Sequence, residues 1–201
     1  MPGMTRFALS LQHGVEALAH TSRTVDHAAA ERVVERLLKC SGRRFTTGVG
    51  KSGHIAARMA SSLSSIGLPS QWVHGAEWAH GELGNLRGDD VIVAVSNSGR
   101  TAELLWLGEQ LARRGDGGAL VALTGSADSP LARASSVALA CAVPAECATL
   151  APLPTSSLLA ADHVFNALLC ELAARTQLSD DDVRRSHPGG AIGEALARDS
   201  N

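Results

Sequence analysis

Short apolar runs alternate with longer stretches whose apolar positions recur at helical spacing, and that alternation predicts most of the secondary structure. Residues 45–49, 70–73, 91–95, 120–123 and 137–143 read as strands, and 53–66, 101–114, a short piece near 129–134 and 155–174 as helices between and after them. Alternation of this kind predicts a mostly parallel five-stranded sheet with helices on both faces, a three-layer α/β/α sandwich. Ahead of the sheet, 9–39 is Ala- and Leu-rich, lacks Pro, and repeats apolar residues at Val15, Leu18, Val33, Val34, Leu37 and Leu38, which predicts one or two helices. Residues 1–40 are therefore expected to form a helical extension packed on a domain spanning 41–201. The tail after Thr176 is polar and is interrupted by Pro188-Gly189-Gly190, so it is expected to pack as an ordered loop ending in a short helical piece.

A chain of 201 residues suits one domain with a sizeable core. The net charge of -2, from 18 basic and 20 acidic residues, provides no general attraction to nucleic acid or an anionic membrane, so neither is an expected partner and any anion recognition is local. Aromatic residues make up 3% and Tyr is absent, which argues against stacking surfaces for single strands. The four cysteines show no C-x-x-C pairing, no basic-then-apolar leader opens the chain, and no apolar stretch approaches the roughly 20 residues needed to span a bilayer. Free thiols in the cytoplasm are the expectation.

Two loops carry candidate chemistry. Gly48-Val49-Gly50-Lys51-Ser52-Gly53 joins a predicted strand to a predicted helix, where backbone N–H groups and the positive helix end face an anion. It is not a P-loop, because Phe45 stands where that motif needs Gly six places before its Lys. Nor is it a convincing dinucleotide fingerprint, since the next strand ends Gln71-Trp72-Val73-His74 with no acid for a ribose hydroxyl. The second loop, Ser96-Asn97-Ser98-Gly99-Arg100-Thr101, brings three hydroxyls to another helix start, although Ser and Thr also cap helices that bind nothing. Both loops fall at strand carboxyl ends, the edge where open α/β sheets hold ligands. His74, Glu77 and His80 do not have the spacing of a helical zinc pair, so no metal and no cofactor is expected.

These motifs, together with Val73-His74-Gly75-Ala76-Glu77-Trp78-Ala79-His80-Gly81-Glu82-Leu83-Gly84, Leu123-Thr124-Gly125, Glu146, Pro154-Thr155-Ser156-Ser157 and Ser186-His187-Pro188-Gly189-Gly190-Ala191-Ile192-Gly193, resemble the SIS-domain sugar phosphate isomerases, most closely their D-arabinose-5-phosphate isomerase branch. The resemblance implies a flavodoxin-like SIS fold and conversion of D-ribulose 5-phosphate to D-arabinose 5-phosphate through a cis-enediol. It implies that Ser96, Ser98 and Thr101 hold the phosphate with Ser52, that Gly50, His74 and His80 lie near the sugar, and that Lys51, Glu103, Glu146 and His187 carry the reaction. It also implies a homodimer or homotetramer in which His187 serves a neighbouring subunit's site. The sequence departs from the family at Arg100, where relatives commonly carry Glu, and at Ala148-Thr149-Leu150-Ala151 in place of Cys-Pro-Leu-Gly; the paired CBS modules of many such isomerases are not among these residues.

Moving a carbonyl between C1 and C2 needs a base for the carbon-bound proton, stabilisation of the enediolate, and opening of any cyclic form. A dry site raising the Glu146 carboxyl would suit the base. His187, with an ordinary pKa near 6.5, suits ring opening or proton shuttling. Lys51 suits a fixed charge on the phosphate or enediolate. Glu103 suits either a sugar hydroxyl or the helix dipole. Two alternatives stay open: a non-catalytic module sensing a sugar phosphate, and an isomerase of a hexulose or heptose phosphate.

Overall fold

The Asp26 carboxylate accepts the N–H groups of Ala28 and Ala29, a cap that starts α2 (His27–Leu38) with only two residues between it and α1 (Arg6–Thr24). The N-terminal stretch is thus two helices in a computed structural model that describes residues 5–115, 118–147 and 153–198. Ala29, Val33, Val34 and Leu37 of α2 enter the larger core cluster, so this extension is built into the domain. On α1 the small residues Gly14, Ala17 and Thr21 are buried, and the Thr21 hydroxyl ties the helix to the chain beyond the last strand through the carbonyl of Ala142 at 2.7 Å. A flanking stripe of the same helix leaves Phe7, Leu11 and Val15 exposed, Phe7 by 74%.

Five strands, β1 (Arg44–Gly48), β2 (Ser70–His74), β3 (Val91–Ser96), β4 (Ala119–Thr124) and β5 (Val137–Ala140), pair in the order β2-β1-β3-β4-β5, and every pairing is parallel. The interior strands β1, β3 and β4 are buried along their whole length, as a sheet covered on both faces requires. Strand order reverses between β1 and β3, which opens a crevice at their carboxyl ends. The strand at 137–143 is shorter than expected, since β5 stops at Ala140.

One face carries α2, α3 (Gly50–Ser65) and α6 (Ser156–Arg175), whose Met59, Leu63, Val164, Phe165 and Leu168 pack on Val93, Val121 and Leu139. The other carries α4 (Ala102–Arg114), α5 (Pro130–Ala134) and two 3-10 turns at Glu77–His80 and Glu82–Asn85. Trp78 anchors the first turn: it is 1% exposed, its indole N–H donates to the Thr47 hydroxyl at 2.9 Å, and its ring meets Phe45 edge-on.

Two expectations are corrected. Helix α6 is, by length and composition, long and apolar enough to cross a membrane, whereas no such stretch was expected. Here it is a core helix, with Ala160, Ala161, Val164, Phe165, Leu168 and Leu172 buried in the domain. The polar tail holds a further helix, α7 (Asp180–Ser186), where an ordered loop was expected, ahead of α8 (Gly190–Arg198), the short helical piece expected after Pro188-Gly189-Gly190. Ser179 and Asp182 close a capping box and three acids occupy the first turn of α7, so the polarity that suggested a loop is helix-start chemistry.

Candidate active site

Strand β1 runs into α3 through backbone contact too close for side chains. A Cβ on Gly48 would lie 3.0 Å from the Gly53 nitrogen and from the carbonyl of Ser52, so only glycine lets the first turn of α3 settle on the strand end. Gly50 opens the helix at φ 59°, and α3 therefore begins three residues before the expected 53. Val49, the N-cap, makes no side-chain cap, which leaves first-turn N–H groups facing the crevice. Lys51 is exposed here and enters no ion pair among the described residues, while Ser52 is half-buried and lines a small cavity at the sheet edge.

The turn after β3 is fixed from inside. The Ser96 hydroxyl is buried, bonds the Thr101 hydroxyl at 2.8 Å and accepts the Gly99 N–H at 3.1 Å. Gly99 has φ 58°, and a Cβ there would strike the Ser129 side chain at 2.3 Å, so this turn admits no larger residue. Thr101 is the N-cap of α4, yet its hydroxyl turns to Ser96 and does not cap, so this helix end is also open to an anion. Ser98 is exposed and accepts the Arg100 N–H at 3.2 Å; Glu103 stands half-buried in the first turn of α4.

Glu146 meets a third helix start. Its Oε2 accepts the N–H of Thr155 at 2.7 Å, the Thr155 hydroxyl at 3.1 Å and the N–H of Ser157 at 3.1 Å. Burial works to raise this carboxyl, but the donors of Ser157 and Thr155 outweigh it and hold it below the ordinary glutamate range. That corrects the expectation of a raised carboxyl: the site is not dry enough to overcome three donors. Cys147 extends the clamp, its N–H donating to the Thr155 hydroxyl at 2.8 Å and its sulfur lying 2.9 Å from the Ser156 hydroxyl. The substituted segment Ala148-Thr149-Leu150-Ala151 lies outside the described residues.

Beside this clamp is a residue that sequence reasoning did not assign. Ser157 is 3% exposed, and its hydroxyl, on the side of the Glu146 carboxylate, makes no aligned hydrogen bond among the described residues. It lines the same small cavity as Ser52, Asn97 and Thr124, over an apolar floor of Val95 and Leu123. The three hydroxyl residues at 155–157 were the available signal, but only the fold sets the last of them against the first loop.

His74 ends β2 beside Gly48 in register, and its Nδ1 accepts the Ala76 N–H at 3.3 Å. His80 is exposed in the following turn and makes no hydrogen bond among the described residues. His187 is placed elsewhere. It caps the end of α7, its Nδ1 is 2.9 Å from the Ser186 hydroxyl, and that hydroxyl donates to the carbonyl of Ser65 at 3.0 Å. Ser65 and Lys51 stand at opposite ends of α3, roughly 20 Å apart at about 1.5 Å per residue. Within one chain, the structure brings Lys51, Ser52, Ser96, Ser98, Thr101, Glu103, Glu146 and His74 to the carboxyl edge of the sheet and leaves His187 at the far end.

The SIS domain family matches residues 37–169, a span that holds all three helix starts of this edge. The chain belongs to the SIS-domain family. Among SIS proteins it is 41% identical over 165 residues to the arabinose 5-phosphate isomerase KdsD of Pseudomonas aeruginosa, covering 82% of this chain and 50% of that one. The chain thus spans about half the length of the curated relatives it matches. Of solved SIS structures, c3406 of E. coli CFT073 in complex with arabinose 5-phosphate superposes with a TM-score of 0.85 at 30% identity, over 90% of this chain and 95% of that one. The Vibrio vulnificus NanR protein complexed with ManNAc-6P superposes with a TM-score of 0.76 at 25% identity, over 89% of this chain and 66% of that one.

Proposed function

We propose that this SIS domain is an aldose–ketose isomerase of a phosphorylated sugar, interconverting D-ribulose 5-phosphate and D-arabinose 5-phosphate through a cis-enediol. The observation that carries this reading is convergence: two uncapped helix starts, the hydroxyls of Ser96, Ser98 and Thr101, and the Glu146 carboxylate meet at the β1/β3 crevice. The name of the Pseudomonas relative and the arabinose 5-phosphate bound to the E. coli structure support the pentose phosphate among sugar phosphates.

The phosphate sits on the N–H groups of the two loops with Ser52, Ser96, Ser98 and Thr101 around it, and Gly50 leaves room for backbone approach. Lys51 offsets negative charge as the enediolate forms. Glu146, ionised at neutral pH, takes the proton from carbon; a bound sugar that displaces water strengthens the burial that already works to raise this carboxyl. Glu103, His74 and His80 contact sugar hydroxyls.

His187 completes the site from a second copy, in a homodimer or homotetramer with shared sites. The separation of about 20 Å within one chain supports this, as does the exposed apolar stripe of Phe7, Leu11 and Val15 on α1. A cytoplasmic setting accompanies the reading, supported by four free cysteines, of which Cys141 is buried with its thiol pushed up to about 12 by desolvation.

One observation favours a second reading, a sensor that binds a sugar phosphate without turnover: Glu146 already has a structural task in capping α6, which a non-catalytic module would retain. Proton NMR of D-ribulose 5-phosphate, D-arabinose 5-phosphate and hexulose and heptose phosphates in deuterated buffer separates these readings. Interconversion of the pentose phosphates that vanishes in Glu146→Gln is the expected result. Conversion of a longer sugar alone transfers the assignment to that sugar. Binding without exchange at C1 or C2 of any of them leaves the sensor.

A further inference from the structure

Helices α3 and α6 pack against each other on one face of the sheet, and their amino ends carry different parts of the site. Lys51 and Ser52 open α3, while Glu146 caps the start of α6. Packing near the site does little to fix the distance between those ends. The first buried positions are small, Gly53 and Ala56 on α3 and Ser156, Ser157, Ala160 and Ala161 on α6, and large buried side chains begin only at Met59 and Val164. Between the two starts lies the small cavity lined by Ser52 of α3 and by Ser157, Leu158 and Ala161 of α6. Small residues around a void leave two helices room to slide against each other.

Two turns in, a side chain of α3 grips α6. The Arg58 Nε donates to Asp162 Oδ1 at 2.5 Å, Nη2 donates to Asn166 Oδ1 at 2.8 Å, and the guanidinium carbon stands 5.2 Å from the Phe165 ring centroid. Asp162, Phe165 and Asn166 follow the i, i+3, i+4 spacing, so the fork spans a full turn of one helix face. Phe165 is 1% exposed in the core, which gives the guanidinium a rigid seat. Arg58 is seven residues beyond Lys51, and Asp162 is seven beyond Thr155, the N-cap of α6. The bridge therefore stands about 10 Å along each helix from its start. Directional, charge-assisted bonds resist the sliding that apolar contact permits.

We propose that Arg58, through Asp162, Phe165 and Asn166, is a positioning residue that sets the register between the amino ends of α3 and α6, and so between the phosphate site and the Glu146 base. The identity of the reaction rests on the isomerase reading; the register of the helices does not. A half-exposed ion pair contributes little to stability, whereas a displacement of about 1 Å at reacting groups can cost about 100-fold in rate. The close contact of Gly48 with Ser52 and Gly53 holds α3 to β1, so α6 is the helix that moves when the bridge is lost. Phosphate is held by the starts of α3 and α4, and the change falls on kcat and not on KM.

The test combines steady-state kinetics with D-arabinose 5-phosphate between pH 5 and 8, thermal melts and crystal structures. The proteins are the wild type, Arg58→Ala, Arg58→Lys, Arg58→Asp, Asp162→Asn and the exchanged pair Arg58→Asp with Asp162→Arg. In Arg58→Ala, kcat should fall by about 10- to 100-fold while KM stays within about twofold of wild type. The acid limb of the pH profile should keep its midpoint, because Glu146 travels with the helix that it caps. The melting temperature should drop by only about 2–4 °C. Arg58→Lys and Asp162→Asn should lie between, and the exchanged pair should recover part of the loss in Arg58→Asp. In the Arg58→Ala crystal structure, Ser157 should be displaced relative to Ser52 by about 1 Å.

An Arg58→Ala protein that melts lower yet keeps wild-type kcat overturns the proposal and makes the bridge a stabilising contact alone. A loss confined to KM overturns it as well. If Arg58→Ala does not fold, Arg58→Lys and Asp162→Asn supply the same comparison of kcat with KM. A wild type that binds sugar phosphate without turning it over, or binds none, removes the isomerase reading. The Ser52-to-Ser157 separation in the crystal structures then decides the role of Arg58, and a separation equal to wild type overturns it.

Discussion

The Glu146 carboxylate lies 2.7 Å from the Thr155 N–H, so the residue expected to take a proton from carbon is also what caps helix α6. A carboxylate on the amino end of a helix is stabilised in its charged form by the N–H groups and the macrodipole. The three bonds from Thr155 and Ser157 all go to Oε2.

This dual role sets a pH signature. The folded carboxyl titrates below its unfolded value, so the folded state binds fewer protons, and the stabilisation present above the unfolded pKa is lost as pH falls below about 4.3. Urea melts of the wild type between pH 6 and 3 should fall more steeply than those of Glu146→Gln. At pH 7 that variant should lose about 10²–10⁴ in turnover, the usual contribution of a positioned base. A shallow wild-type profile identical to that of the variant would remove the cap from the account.

Ser157 separates a ligand-binding role from a folding role. Its buried hydroxyl stands by the Glu146 carboxylate and helps hold it below the ordinary range, so Ser157→Ala should let that carboxyl rise and cost the unliganded protein no more than about 1 kcal/mol. Sugar phosphate binding should weaken by about tenfold, the worth of one hydrogen bond left unmade. Differential scanning fluorimetry with and without ligand reads both. A variant that melts lower yet binds normally assigns the hydroxyl to the fold.

Gly48 should tolerate no side chain. In Gly48→Ala the new methyl lies 3.0 Å from three backbone atoms of Ser52 and Gly53, which displaces the first turn of α3. Overpacking of this kind costs about 1–3 kcal/mol, and the phosphate affinity should drop with it because the N–H groups move. Calorimetry on the folded variant at low temperature checks the second effect apart from the first.

Site sharing predicts complementation. If Glu146 and His187 of different copies form one site, mixing inactive Glu146→Gln and His187→Ala should recover about a quarter of wild-type activity after statistical subunit exchange in a dimer. The mixed pair contains one site with both native residues. No recovery, with exchange verified by mass spectrometry, places both residues in one chain's site.

Much of this arrangement was legible from the residues. The strand runs, the helix periods and the two loops at strand ends specify a parallel α/β sheet with glycine-bearing strand-to-helix turns, because apolar periodicity and glycine placement are local properties. The tail was misread for a local reason as well: Ser179 through Asp182 counts as polar whether it is loop or helix start, and only the reciprocal bonds of the capping box distinguish them. Glu146 was misjudged in its electrostatics, since the donors that depress it come from Thr155 and Ser157, nine and eleven residues further along the chain.

The order of residues suffices for the five strands and the main helices between them, which turns offer N–H groups to an anion, and membership of the SIS family. It takes the folded chain to bring Ser52, Asn97, Thr124 and Ser157 into one cavity and to leave His187 at the far end of α3 from Lys51. The reason is that helix and turn chemistry act over a few residues. Cavities and separations depend on strand order, and the reversal between β1 and β3 is fixed only when the whole sheet closes its two cores.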